Sequence, residues 1–152
     1  MQKKRQRRRV GDVVAVDLGE GYTAFGQVLS EPLVAFYDLK SRDVPPVEEI
    51  TVCPVLFVVN VMNYAVTRGE WPVIGRAPVD AELVEGLRFG KVDHYGDEHC
   101  VVLWDGRQEP ASLEEAEALE PAAVWDPSHV VDRLNDHYAG RPNKWLESLR
   151  SM

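Results

Sequence analysis

Apolar positions recur at a spacing of two through the first two thirds of the chain and at helical spacing after Asp105-Gly106. Between Val10 and Lys40, Val14, Val16 and Leu18 alternate with Ala15 and Asp17, and the run halts at Gly19-Glu20-Gly21. This predicts a strand closed by a three-residue hairpin loop, with Gly21 at the position that needs positive φ. Tyr22 to Leu29 is the returning strand, and a Ser30-Glu31-Pro32 turn leads into a third, Leu33 to Leu39. The three form an antiparallel meander with one apolar face for later elements to cover. SRDVPP (Ser41 to Pro46) reads as a loop, followed by one helical turn over Val47 to Ile50. Val55 to Met62, VLFVVNVM, is almost continuously apolar and β-branched. It is expected at the centre of the sheet, with Asn60 a buried amide satisfied by neighbouring backbone.

Arg68-Gly69-Glu70 marks a turn, and Trp71 to Gly75 a short extended piece in which Trp71 buries a large area at the sheet edge. Asp80 to Glu85 reads as a helical turn capped by Asp80. Leu87 to Tyr95 and Glu98 to Trp104 form a second hairpin around Gly96-Asp97, closed by Asp105-Gly106. Ser112-Leu-Glu-Glu115 fits a capping box, with Leu113, Ala116 and Leu119 near one face and Pro121 ending the helix. Asp126-Pro127 begins another helix, the aspartate as cap and the proline at the first helical position, where its missing N–H costs nothing. Val130, Val131, Leu134 and Tyr138 make its apolar stripe, and Gly140 ends it. A last helix runs from about Asn143 to Arg150. The expected fold is α+β, a bent antiparallel sheet, up to a partial barrel, with C-terminal helices packed on it.

The 152 residues, 45% of them hydrophobic, suffice for one domain with a proper core. Charge changes the picture. Residues 3–9, KKRQRRR, hold six of the 17 basic residues and no acidic one, leaving 11 basic against 25 acidic residues, a formal charge of −14, on residues 10–152. The expected organisation is a flexible basic arm, residues 1–9, before a single acidic domain, residues 10–152. An acidic body disfavours nucleic acids and anionic membranes and speeds encounter with a basic protein. No apolar run approaches the roughly 20 residues of a bilayer span, and no export signal precedes the first strand, so the expected location is cytoplasmic. Cys53 and Cys100 lack metal-ligand spacing and read as two buried thiols, a disulfide between them being the minor alternative.

Phosphate-binding glycine loops, HExxH and nucleophile elbows are absent from the sequence. Asp93, His94, Asp97, His99 and Cys100 are the one cluster with catalytic or metal-binding residue types, but strand alternation sends His99 and Cys100 to opposite faces, so they do not converge on one ion. His129, in the first turn of the Asp126-capped helix, reads as structural. No catalytic residue, cofactor site or metal site is expected.

The order VGDVVAVDLGEGYTAFGQVL, LVAFYDLKS, PPVEEI, WPVIG, ASLEEAEALEPAAVWDPSHVVDRL resembles the immunity protein 26 family of bacterial polymorphic toxin systems, over about residues 10 to 134. The resemblance is carried by Gly11-Asp12, Phe25-Gly26, Phe36-Tyr37-Asp38, Trp71-Pro72 with Gly75, and Trp125-Asp126-Pro127 with His129. It implies a small cytoplasmic binder, not an enzyme, that neutralises a cognate toxin by docking on its catalytic domain. Binding residues concentrate on loops carried by a rigid sheet. The expected contacts with a basic toxin surface are therefore Glu20, Asp38, Asp43, Glu48 and Glu49 on one rim and Asp97 and Glu98 on another. The alternative is a small nucleic-acid-binding module that uses the basic arm. The oligomeric state is left open.

Overall fold

Three consecutive strands, β1 (Asp12–Gly19), β2 (Tyr22–Val28) and β3 (Leu33–Tyr37), pair antiparallel in the computed structural model, which describes residues 3–151, the last by its backbone alone. Met1, Gln2 and Met152, at the ends of the expected arm and domain, lie outside the described residues. The β1–β2 connection is tighter than the sequence predicts. Gly19 pairs with Tyr22, so only Glu20 and Gly21 form the loop, and both have positive φ, 56° and 83°, as hairpin turns of the right twist demand. Gly19 is also at positive φ, where the register shifts after Asp17.

The chain forms two compact units, the first comprising residues through Val79 with Val124–Arg141 and the second comprising Asp80–Ala123 with the segment from Pro142 onward. In the first unit a six-stranded sheet has the order β10-β4-β3-β2-β1-β5, with β4 at Val55–Val61, β5 at Val73–Arg76 and β10 at Val124–Trp125. β4 is therefore not central. It has only the two-residue parallel β10 on its outer side, and Val55, Leu56 and Phe57 are half-buried. The centre is β2 and β3, whose residues from Ala24 to Val28 and from Leu33 to Tyr37 are all buried.

This double burial departs from the one-faced meander expected of the pattern, because both faces acquire covers. On one face Val13, Phe25 and Tyr37 pack with Ile50 of α1 (Val47–Ile50), joined by Val47 and Ile74. α1 approaches so closely that a Cβ on Gly75 would lie 2.3 Å from Val47 Cγ2. On the other face the Trp71 ring meets Phe36 edge-on, centroids 5.5 Å apart. Trp71 follows a one-turn helix, α2 (Tyr64–Thr67), that the sequence pattern does not announce. A longer helix of the same unit, α5 (Pro127–Ala139), contacts β1, buries Val130 and Leu134, and donates from Asn135 Nδ2 to Leu18 O at 3.1 Å.

Residues 3–9, expected as a flexible arm, run along this unit. Gln6 ties to backbone from the end of α2 to the start of β5: its N–H donates to Thr67 O (3.1 Å), its amide nitrogen to Trp71 O (2.7 Å), and its amide oxygen accepts from Val73 N (3.1 Å). Arg8 donates both terminal nitrogens, to Leu29 O and Leu33 O, each at 2.8 Å. A Cβ on Gly69 would collide with Lys4 O at 2.1 Å.

The second unit holds a four-stranded sheet, β8-β7-β6-β9, built from β6 (Arg88–Lys91), β7 (Cys100–Leu103), β8 (Gln108–Pro110) and β9 (Glu120–Pro121). The Leu87–Trp104 hairpin is present with shorter strands, and Asp105-Gly106 turns the chain into β8, which the sequence does not signal. Asp80 caps α3 (Ala81–Glu85) and Ser112 caps α4 (Leu113–Glu117), as their sequences predict. α4 is shorter than its apolar spacing suggests and leaves Leu113 exposed, because the chain turns at Ala118 to place β9 parallel to β6. The final helix, α6 (Lys144–Ser151), lies against β9.

The class is α+β, two mixed, mostly antiparallel sheets with α5 and α6 packed on them, and among the described residues no barrel closes. Cys53 and Cys100 are free thiols and half-buried, not fully enclosed. Among the described residues no helix is long and apolar enough to cross a membrane.

Gly90 fixes how closely α4 approaches β6: a Cβ there would sit 1.8 Å from Ala116 O, a backbone atom that has no easy way to yield. Gly90→Ala is expected to cost about 2 kcal/mol or more in urea unfolding. Gly106→Ala has open space around it and carries only the positive-φ penalty of about 1 kcal/mol. Equal losses in the two variants would contradict this assignment.

Candidate functional site

At the end of the first unit's sheet, the β1–β2 turn and the segment after β3 are tied together by an isolated bridge between Thr23 and Ser41, with backbone hydrogen bonds of 2.8 and 2.9 Å. Glu20 is exposed on its tight turn, and Asp38 and Asp43 are exposed on either side of the bridged Ser41. The Asp43 N–H donates to Ser41 Oγ at 3.1 Å, which shapes the loop and leaves the carboxylate exposed. Glu48 and Glu49 follow in the first turn of α1, where they complement the helix dipole and point away from buried Ile50. All five acids proposed for this rim are exposed. Asp97 and Glu98 are exposed too, but they lie in the β6–β7 connection of the second unit.

The rim is not purely acidic. Lys40 Nζ sits 4.4 Å from the Tyr22 ring centroid and Arg42 Cζ 4.3 Å from it, and Lys40 also faces Tyr138 of α5 at 5.7 Å. Arg42 reaches Tyr22 past Gly21, where a Cβ would lie 3.5 Å from its guanidinium. Cations held over aromatic faces lose side-chain freedom before any partner arrives. Asp38 stands 3.9 Å from His137 Nε2. Burial, aided by the Asp38 charge, pushes the Tyr138 hydroxyl well above the ordinary tyrosine range, so it stays protonated. Tyr22, Lys40 and Arg42 were missing from the sequence-based site. The available signal was two cations flanking the serine that pairs back to the hairpin.

The candidate side chains of the β6–β7 connection bond to its own backbone. His99 Nδ1 accepts from the Asp93 N–H at 3.1 Å, and Asp93 Oδ1 accepts from the Tyr95 N–H at 3.0 Å. These bonds close the β6–β7 loop upon itself. Among the described residues no three His, Cys, Asp or Glu side chains converge as a metal site.

Residues 9–101 match the family described as immunity protein 26, which is more than half of the chain. The chain belongs to the immunity protein 26 family. No curated protein and no solved structure shows a significant match to it. Family membership implies a non-catalytic immunity protein of a polymorphic toxin system, one that binds and neutralises a cognate toxin. The matched span includes all seven candidate acids together with Tyr22, Lys40 and Arg42. It stops before Trp125-Asp126-Pro127 and His129, which also carried the resemblance.

Asp126, beyond the matched span, nonetheless anchors the helix that supplies His137 and Tyr138 to the rim. Its carboxylate accepts from the Ser128 N–H (2.9 Å) and hydroxyl (2.6 Å) and from the Tyr64 hydroxyl (2.7 Å), tying α2 to the start of α5. The Ser128 and Tyr64 hydrogen bonds hold its pKa below the usual carboxylate range, and the same bond raises that of Tyr64. A carboxylate depressed in the folded state contributes stability that is fully present above its unfolded pKa and is lost as pH falls through the folded value. Asp126→Asn keeps a good cap but removes the charge. It is expected to lower stability at pH 7, and the gap to wild type should close as urea unfolding is repeated from pH 5 down to pH 2.5. A gap that stays constant over that range would contradict the assignment.

Proposed function

We propose that this immunity protein neutralises its toxin by docking the first unit's rim on a basic surface of the toxin's catalytic domain, blocking it sterically and electrostatically. The observation that supports this reading is that Glu20, Asp38, Asp43, Glu48 and Glu49 are each exposed, on loops and a short helix of the unit with the doubly buried sheet and within the matched family span. Like charges on a rigid scaffold speed encounter with a basic partner, while Tyr22 with Lys40 and Arg42 supplies the pre-ordered aromatic and cationic contacts that typically dominate binding energy. Asp97 and Glu98 form a second acidic element of the proposed contact set. The match runs from 9 to 101 and takes in parts of both units, which supports reading residues 10–152 as one functional domain acting in the cytoplasm.

The alternative, nucleic-acid binding through the basic arm, has less support. Gln6 and Arg8 are committed to carbonyls of the chain itself, and Lys3 pairs with Glu70 at 2.7 Å.

Co-expression with the C-terminal domain of the toxin encoded beside it is expected to restore growth. Reversing the five carboxylates to lysine should slow association about tenfold or more at low salt and weaken protection, with the difference shrinking as salt rises. An unchanged on-rate at low salt would sink the electrostatic part of the reading. Binding of RNA with a steep salt dependence, lost on deleting residues 1–9, would favour the alternative.

A further inference from the structure

The second unit is strongly acidic, with thirteen acidic against five basic side chains over residues 80–123 and 142–152. Within it a cavity of about 490 Å³ opens between β6, α4, β9 and α6. Its floor is apolar, formed largely by Val92, Leu119, Pro121 and Leu149, all only half-buried and so available to a ligand. Its mouth inverts the charge of the unit. Lys91, His94 and Arg150 stand there against Glu117 alone. Among the described residues, none of these four side chains makes a hydrogen bond or an ion pair.

We propose that this cavity is a binding site for an amphipathic monocarboxylate, an apolar chain or ring bearing a single carboxylate head. The volume falls within the range of small-molecule pockets, about 300–1,000 Å³. The apolar floor gains free energy by removing hydrocarbon from water, which a bare phosphate or sulfate does not offer. Two fixed cations against one carboxylate leave the mouth with an excess of one positive charge when His94 is neutral, matching one anionic head. In a unit that otherwise repels anions, this local reversal selects the headgroup and orients it outward, with Lys91 and Arg150 donating to it. The site lies in the second unit, whereas the proposed rim belongs to the first, and α4, β9 and α6 lie beyond the matched residues 9–101. It therefore stands or falls independently of the proposed neutralisation.

The test is an amide NMR titration of the full-length chain with decanoate, kept below its micelle concentration, beside decan-1-ol and decyltrimethylammonium. Decanoate is expected to cause saturable shifts at the amides of Gly90, Val92, Ala116 and Ala122, and to bind roughly tenfold more tightly than the neutral or cationic analogue. Lys91→Glu and Arg150→Glu, both at exposed positions, should each weaken decanoate about fivefold while leaving the rest of the spectrum unchanged. The proposal is overturned by the absence of saturable shifts at those amides, by equal binding of decan-1-ol, or by charge reversals that leave the affinity unaltered. Tighter binding by an apolar peptide with a free C-terminus would overturn the small-molecule assignment in favour of a polypeptide end.

Discussion

The first unit depends on burying β2 and β3 on both faces. A strand covered on both sides has no solvent to satisfy its polar groups, so every one must find a partner within the fold. The clearest case is Gln27, 2% exposed next to the end of β2. Its amide nitrogen donates to Ala77 O at 2.9 Å, with longer contacts to Gly11 O and Pro78 O, while its amide oxygen accepts from the Tyr37 hydroxyl at 3.0 Å. One side chain thereby joins the entry to β1, the exit from β5 and the end of β3. Gly26 beside it leaves room for Phe36 and Val34, whose side chains would lie 3.2 Å from a Cβ at that position. The central sheet is thus rigid for a stated reason, and the loops projecting from it inherit that rigidity.

The proposed function rests on what is left outside. Because α1 must press Ile50 onto Phe25 and Tyr37, its opposite side turns Glu48 and Glu49 to solvent. Because Thr23 pairs with Ser41, the segment from Asp38 to Asp43 is held against the β1–β2 turn. In the proposed reading, these carboxylates and the two ring-stacked cations would give a partner both a steering field and fixed contacts. Binding is the activity such a surface can support.

Much of this was legible in the chain. Asp80, Ser112, Asp126-Pro127 and Gly140 mark helix ends through interactions spanning two to four residues, which sequence reports directly, and all four act as expected. The meander was legible for the same reason, its turns being local. What escaped was decided at long range. The parallel pairings of β9 with β6 and β10 with β4 each involve two residues and carry no periodicity of their own. VLFVVNVM looked central because it is apolar, but its neighbours are chosen by pairings that hydrophobicity does not encode. The hydrogen bonds of Gln6 to Trp71 O and of Arg8 to Leu29 O, each more than 20 residues away, have no local pattern to announce them. In the candidate site, the acids were visible as charge, whereas Lys40 and Arg42 acquire meaning only once Tyr22 is placed beneath them.

The central claim is that the rim of the first unit is where a toxin is held. Hydrogen–deuterium exchange of the chain, alone and with the purified catalytic domain of its cognate toxin, addresses this most directly. The account predicts slowed exchange over residues 20–24 and 38–50 in the complex, with β2 and β3 already protected in both states. Slowing confined to other segments, or no complex at all, would contradict it.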